Sequence, residues 1–585
     1  MAAAIFYLVS FIFAVSMMVL LPKKSKKINI IVDVMFSYVT VLNVTSLIAF
    51  AINTIGIIIS PVSMGAIFIG IGVILGIVVV GKKKIQSHTL RKVDALSVCI
   101  LVLVVGVLML HVFTPYLHEN YYNNVDPNNH FLYAMSIVRS GKLTGMFYNA
   151  LYNGMFLKLF SWAMPQVWIY KAFILSDIYH LILELLFFYA AVLLVTGEKT
   201  TRKYTALIWS LFYCVTFLVF SFLWGFIYWS MAGMLAQYIF MLLKIRKSEE
   251  VNSQIVWGGI GIGLFAVTMC YIQFVPVMVC TVMAAVLYDL YKSGKLKFER
   301  RYIKVVLGIV VILSGLSFVG YKYVFRDRGV GFLHALQMGE QQNIGLEILL
   351  MIPWIILIIL KTLQKKKIMT QMQIAYVTGM AVQLLFTVLS VCHIVSTYYL
   401  QKSYLVLIFL SIVIIVEGWT CLEKKTVQRM CWLYMGLLSF LVISYAGNES
   451  KTFSLQQSIL VQNLDILSGY DFSKGELSDN DKIYLMQYAI EEFQDENGST
   501  PLIVSGGAAK GTGLWLDATY PNATVICMGD YDCTEEKLDE LLEQCGATHF
   551  MVFFDDLLYI YDLHDYFDSF ERVYQNDAGF IGKYK

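Results

Sequence analysis

Two places in the chain set carboxyl and imidazole side chains one helical turn apart. Asp126 and His130 lie in HVFTPYLHENYYNNVDPNNHFLYAMSIVRSGKL, and Asp177, His180 and Glu184 follow one another at spacings of three and four. A carboxylate and an imidazole four residues apart on a helix could share acid–base work or contact a metal. The same pair also reads as a capping aspartate and a surface histidine. Glu119, in the same stretch, would complete a ligand set for a divalent cation such as Mg2+ or Mn2+, although the spacing does not prove one. The second cluster lies in an apolar run. A charge at bilayer depth costs roughly 2.5–3.5 kcal/mol or more, so such residues face a cavity or partners. That face would line the route of an acceptor or a lipid head group, serve as a proton relay, or form a hydrogen-bond network inside a bundle. Arg326 and Arg328 sit in YKYVFRDRGVGFLHALQMGEQQN, which also offers His334 and Glu340; Lys402 follows Tyr398 and Tyr399. Guanidinium groups hold phosphate oxygens in a bidentate fork. Alternatively, these Arg, Lys and Tyr side chains anchor the membrane interface.

The elements that must position these residues are membrane helices. A chain of 585 residues that is 58% hydrophobic and 15% charged is not an ordinary soluble globule. Its net charge of +3 conceals a division. From Gly447 to the end there are 8 Lys+Arg against 25 Asp+Glu, and the first 446 residues hold the other 36 and 16. Two regions so different imply a membrane domain over 1–446 and a soluble domain over 447–585. No basic surface for nucleic acid is implied.

Topology follows from the basic connections at 23–27, 82–92, 199–203, 244–247, 292–304, 361–367 and 424–429, which hold 28 of the 36 Lys and Arg of the first region. Cytoplasmic loops are enriched in Lys and Arg. Each interval between them has room for an out-and-back pair of spans of about 20 residues. The intervals give helices near 1–21, 28–50, 62–81, 93–114, 167–195, 204–222, 226–243, 255–273, 274–291, 304–324, 346–361, 370–391, 403–421 and 429–446. That is about fourteen spans with both termini outside. Lysines follow the first apolar run rather than precede it, which favours a retained helix over a cleaved signal. Outer loops at 115–166 and 325–345, the short loop at 393–402 and the terminal domain then face one compartment. Asp126 and Pro127 suit the start of a helix, with Asp126 near the N-cap. Asn128–Ser140 continues it with apolar residues at helical spacing, as for a helix lying along a membrane surface.

In the terminal domain, 478–497 reads as an amphipathic acidic helix. LIVSGG, ATVICMG and THFMVFFDD read as strands, CTEEKLDELLEQCG as a helix capped by Thr534 and ended by Gly546, and FERVYQNDAGFIGKY as a closing hairpin. Strands alternating with helices imply a small α/β layer domain. The glycines of SGGAAKGTG lack the lysine placement of a phosphate loop. Cys527, Cys533 and Cys545 lack both metal spacing and an even count.

The run NNVDPNNHFLYAMSIVRSGKL, followed by YNALYNGMFLKLF, is similar to the first outer loop of the GT-C superfamily of membrane glycosyltransferases. The phrase GTGLWLDATYPNATVI and the closing Gly-Lys-Tyr resemble the terminal domains of bacterial members. The resemblance implies a polytopic α-helical membrane protein with a C-terminal extracytoplasmic α/β domain. It also implies a polyprenyl-phosphate-linked sugar donor, an envelope glycan or lipid acceptor, and Asp126 as the catalytic carboxylate. Three helices precede the span that is usually first. The substrate side would be built from His130, Glu119, Arg326, Arg328, His334, Lys402, Tyr398, Asp177 and His180. Other readings are a flippase or transporter of lipid-linked saccharides, and an envelope polymerase or ligase. The basic-inside pattern suits a bacterial plasma membrane.

Overall fold

The computed structural model describes most of residues 28–294, the helix at 371–391 and much of 480–584. The expected spans at 304–324, 346–361, 403–421 and 429–446, nearly all of 1–21, and the loops at 325–345 and 393–402 lie outside the described residues. Two short strands, β1 (Ile28–Asn29) and β2 (His88–Thr89), pair in parallel. They lead into α1 (Ile30–Thr54) and α3 (Lys92–His118), with α2 (Pro61–Lys82) between. Next come α4 (Val125–Ser140), α5 (Leu151–Phe160), α6 (Ile169–Thr196), α7 (Thr205–Tyr213), α8 (Ile227–Ile245), α9 (Ser253–Cys270), α10 (Val275–Lys292) and α11 (Gln371–Val391). Each of α1–α3 and α6–α11 falls on one of the expected spans. Of the described helices, α1, α6 and α10 are long and apolar enough in a continuous window to cross a membrane. α2 and α3 leave Ile69, Val73, Ile74, Leu103 and Val107 exposed, an apolar outer face that hydrocarbon rather than water would cover.

One buried carboxyl ties an end of the bundle together. Asp94, fully buried in the first turn of α3, accepts from Asn29 Nδ2 at 2.7 Å, from Arg91 Nε and Nη2 at 2.6 and 2.9 Å, and from Tyr189 Oη at 3.0 Å. Asn29 in turn caps α1, its Oδ1 accepting from Ile31 N at 3.0 Å. The starts of α1 and α3 and the C-terminal part of α6 therefore meet. The far end of α1 meets the end of α4: Ile59 N donates to Gly141 O at 2.6 Å, and Leu143 N to Asn53 Oδ1 at 3.2 Å. Gly141 closes α4 in the left-handed conformation, φ +61°, and a Cβ there would stand 2.1 Å from Ile58 Cγ2. Only glycine meets both demands.

α8 is buried along its whole run from Ile227 to Leu243, as its all-round apolar sequence requires of a central helix. α9 packs closely on it at Gly263, where a Cβ would approach Ile239 Cγ1 to 2.9 Å.

In the terminal region, α12 (Asn480–Glu492) packs against a five-stranded sheet of order β4-β3-β5-β7-β6. The strands are β3 (Leu502–Ser505), β4 (Val525–Cys527), β5 (His549–Phe553), β6 (Glu571–Asn576) and β7 (Gly579–Lys583). β4, β3 and β5 run parallel, and the β6–β7 hairpin joins β5 antiparallel. α13 (Glu535–Gln544) buries Leu538 and Leu542 against Phe550, Val552 and Phe580. Its start and stop are the expected ones: Thr534 Oγ1 accepts from Lys537 N at 3.4 Å, and Gly546 follows at φ +62°. A short helix, α14 (His564–Asp568), precedes the hairpin.

Candidate active site

Asp126 is the second residue of α4, so the helix opens one residue before the expected cap and runs on to Ser140. The helix is seated rather than loose. Phe131 meets the rings of Tyr170 and Phe173 on α6 at 4.9 and 5.4 Å. Gly154 of α5 abuts Ile137 and Ala134 of α4. Lys158 Nζ donates to Val138 O at 2.8 Å, placing a cation at the negative end of the α4 dipole. His130, 4% exposed, turns into the bundle, its ring 4.8 Å from that of Tyr228.

The second cluster stands on α6, against which α4 packs. Asp177, His180 and Glu184 are all buried on α6, so the spacing of three and four does form one inward face. Asn153 of α5, fully buried, donates to Asp177 Oδ1 at 2.5 Å and to Ser176 Oγ at 2.6 Å. Ser230 of α8 donates to Glu184 Oε1 at 3.0 Å. Tyr152, held by Ser46 and by Leu42 O of α1 at 3.1 Å, brings its ring within 6.1 Å of that of His180. Both ring nitrogens of His180, Glu184 Oε2 and Asn153 Oδ1 are buried without a protein hydrogen-bond partner.

α4 and α5 thus join His130 to the Asp177–His180–Glu184 face through packed helices. Glu119, Arg326, Arg328, His334, Tyr398 and Lys402 lie outside the described residues. Among the described residues no three His, Cys, Asp or Glu side chains gather as a metal site. The ring of His130 is directed at Tyr228.

No protein-family model and no curated protein matches the chain. A solved structure does. The crystal structure of ArnT from Cupriavidus metallidurans bound to undecaprenyl phosphate superposes with a TM-score of 0.50, covering 82% of this chain and 97% of that one at 9% sequence identity. The chain has the ArnT fold. At such low identity the likeness is one of fold. The ArnT-like reading agrees with a mostly helical membrane domain followed by a small sheet.

Sequence reasoning did not single out Asn153, Ser230, Tyr152 or Asp94. Asn153 and Tyr152 stood within YNALYNGMFLKLF, quoted only for its overall likeness. A polar residue inside an apolar helix was the available signal for Asn153. Ser230 gives no such signal, because serine is tolerated anywhere in a bundle.

Proposed function

We propose that this protein is a GT-C type glycosyltransferase that moves a sugar from a polyprenyl-phosphate donor to an envelope glycan or lipid acceptor on the outer face of the plasma membrane. The observation that supports the reading best is the ArnT-like fold with Asp126 in the first turn of α4, a helix packed on α5 and α6, which carry the buried polar cluster. The bundle has about fourteen spans, and the soluble domain of 447–585 stands outside with both termini. Asp126 acts as general base. The acceptor oxygen attacks the anomeric carbon and its proton passes to the Asp126 carboxylate. The bond from that carbon to the phosphate oxygen breaks, and the electron pair leaves with the lipid phosphate. Arg326 and Arg328, with Lys402 and Tyr398 nearby, hold that phosphate. Glu119 and His334 complete the outer rim, His130 meets the substrate from inside the bundle beside Tyr228, and Asp177 and His180 line the substrate route. A divalent cation, if the enzyme uses one, would sit on Asp126 and neighbouring carboxyl oxygens, the donors that Mg2+ and Mn2+ favour.

Transfer from radiolabelled polyprenyl-phosphate sugars, in membranes carrying wild type or Asp126→Asn, tests this. Loss of about 10²–10⁴-fold in rate is expected from removing a general base. Full transfer by the variant rejects the assignment. The acidic face of α6 favours a second reading, a flippase of lipid-linked saccharides. Label that crosses the bilayer unchanged, equally in both proteins, would support that reading instead.

A further inference from the structure

The face of α6 holds more buried hydrogen-bonding capacity than the protein itself uses. His180 is 3% exposed and neither ring nitrogen has a protein partner; Glu184, 1% exposed, leaves Oε2 unmatched, and fully buried Asn153 leaves Oδ1 unmatched. Native interiors seldom leave such groups without partners, because each costs about 1–3 kcal/mol. The α6 face runs about 10 Å from Asp177 to Glu184, Asn153 joins it from α5 at Asp177, and Ser176, Ser230 and Tyr152 stand beside it. The set mixes acceptors, donors and an amphoteric imidazole. Its described polar groups are amides, hydroxyls, carboxyls and an imidazole, with no guanidinium or ammonium among them. Such a surface suits neutral hydroxyl groups that both donate and accept, and is a poor host for a phosphate, which needs cations or several N–H donors. α5 reaches it at Asn153, and α4, which carries Asp126, sets His130 against Tyr228 of α8.

We propose that Asn153, Asp177, His180 and Glu184, with no cationic side chain among the described residues beside them, form a subsite for the uncharged sugar ring of the lipid-linked donor, separate from the place that holds its phosphate. This rests on the transferase reading above and adds which part of the substrate the α6 face takes.

Binding by the full chain in detergent or nanodiscs tests it, using plain undecaprenyl phosphate and its esters with glucose, galactose, mannose and N-acetylglucosamine. Wild type is expected to bind at least one ester more tightly than the plain lipid. His180→Phe keeps the ring volume and removes both nitrogens. It should weaken that ester about tenfold, the effect of one good hydrogen bond, and leave the plain lipid within about twofold with an unchanged melting temperature. Glu184→Gln, which keeps the shape and Oε1, serves as the second variant if His180→Phe does not fold. Equal weakening of both ligands, no weakening of either, or no ester preferred by wild type overturns the subsite. Transfer is measured separately. Ester discrimination without any transfer would sink the transferase reading and leave the subsite standing; transfer without ester discrimination does the reverse.

Discussion

Asn153 donates its side-chain amide to the Asp177 carboxyl at 2.5 Å, and that bond fastens α5 to α6 inside the bundle. Both residues are buried, Asn153 completely. The helix pair so fastened carries α4 against it, through Gly154 against Ile137 and Phe131 against Tyr170 and Phe173. The course of α4, and with it the backbone at Asp126, is therefore set by packing on these two neighbouring helices. Asn153→Ala removes the donor and leaves a buried carboxyl short of a partner. The expected cost is about 1–3 kcal/mol, seen as a lower melting temperature in detergent. Asn153→Ala combined with Asp177→Ala should cost less than the sum of the two single changes, because the stranded group is gone. Strict additivity would show that the bond contributes nothing.

Gly141 sets the other boundary of α4. Its φ of +61° and the 2.1 Å approach of a would-be Cβ to Ile58 Cγ2 predict that Gly141→Ala loses roughly 1–2 kcal/mol from the left-handed backbone alone, plus the clash. Ile58→Ala in the same chain should return the second part and not the first. Thermal unfolding of the three variants checks this partition. A Gly141→Ala protein as stable as wild type would mean that the α4 end is not seated on residues 58 and 59.

What was legible in the sequence divides along a physical line. α13 was readable at both ends because Thr534 and Gly546 are local signals, and the hairpin because strand alternation and turn residues act over a few positions. α4 was readable from the Asp126–Pro127 start and the helical spacing to Ser140, one residue late at its opening. The face of α6 was readable as a face, since the helical period alone places Asp177, His180 and Glu184 together. Its partners were not. Ser230 lies 46 positions from Glu184 and Asn153 lies 24 from Asp177, and no local rule links them. Asp94 stood near the start of the expected span 93–114 with nothing local to mark its role; only the meeting of α1, α3 and α6 shows it to be buried and shared.

His549 gives the terminal sheet a pH dependence. It opens β5 opposite Lys583, with its ring 4.4 Å from that of Phe493. Burial, and then the neighbouring Lys583 charge, hold its pKa below the ordinary histidine value. The unfolded chain therefore binds the proton more readily than the folded one. Stability contributed by the neutral ring is present above about pH 6.5 and falls as pH drops through that value, levelling off below the folded pKa. Protection factors of the β5 and β7 amides in the full chain, corrected for intrinsic exchange, should decline over this window in wild type. In His549→Gln that part of the decline should be missing. An identical profile in both proteins would assign the acid sensitivity to other groups.

The last question is which cation meets the leaving phosphate. Only Arg139, Lys142, Lys158, Lys171, Lys322, Arg326, Arg328 and Lys402 of the first region stand outside the basic connections. Lys158 is committed to Val138 O at the end of α4. Arg139 and Lys142 are exposed at that same end, a full helix length from Asp126. The proposal that Arg326 and Arg328 form the clamp makes a kinetic prediction. Charge-assisted hydrogen bonds contribute about 1.5–3 kcal/mol each, so Arg326→Gln with Arg328→Gln should raise the donor KM or lower donor kcat/KM by about 10²-fold or more. The acceptor KM should stay within about twofold, and Lys158→Met should leave donor kinetics near wild type while lowering stability by about 0.3–1 kcal/mol. Donor dependence unchanged in the double arginine variant would move the phosphate site elsewhere. A donor KM raised by Lys158→Met instead would point to the end of α4.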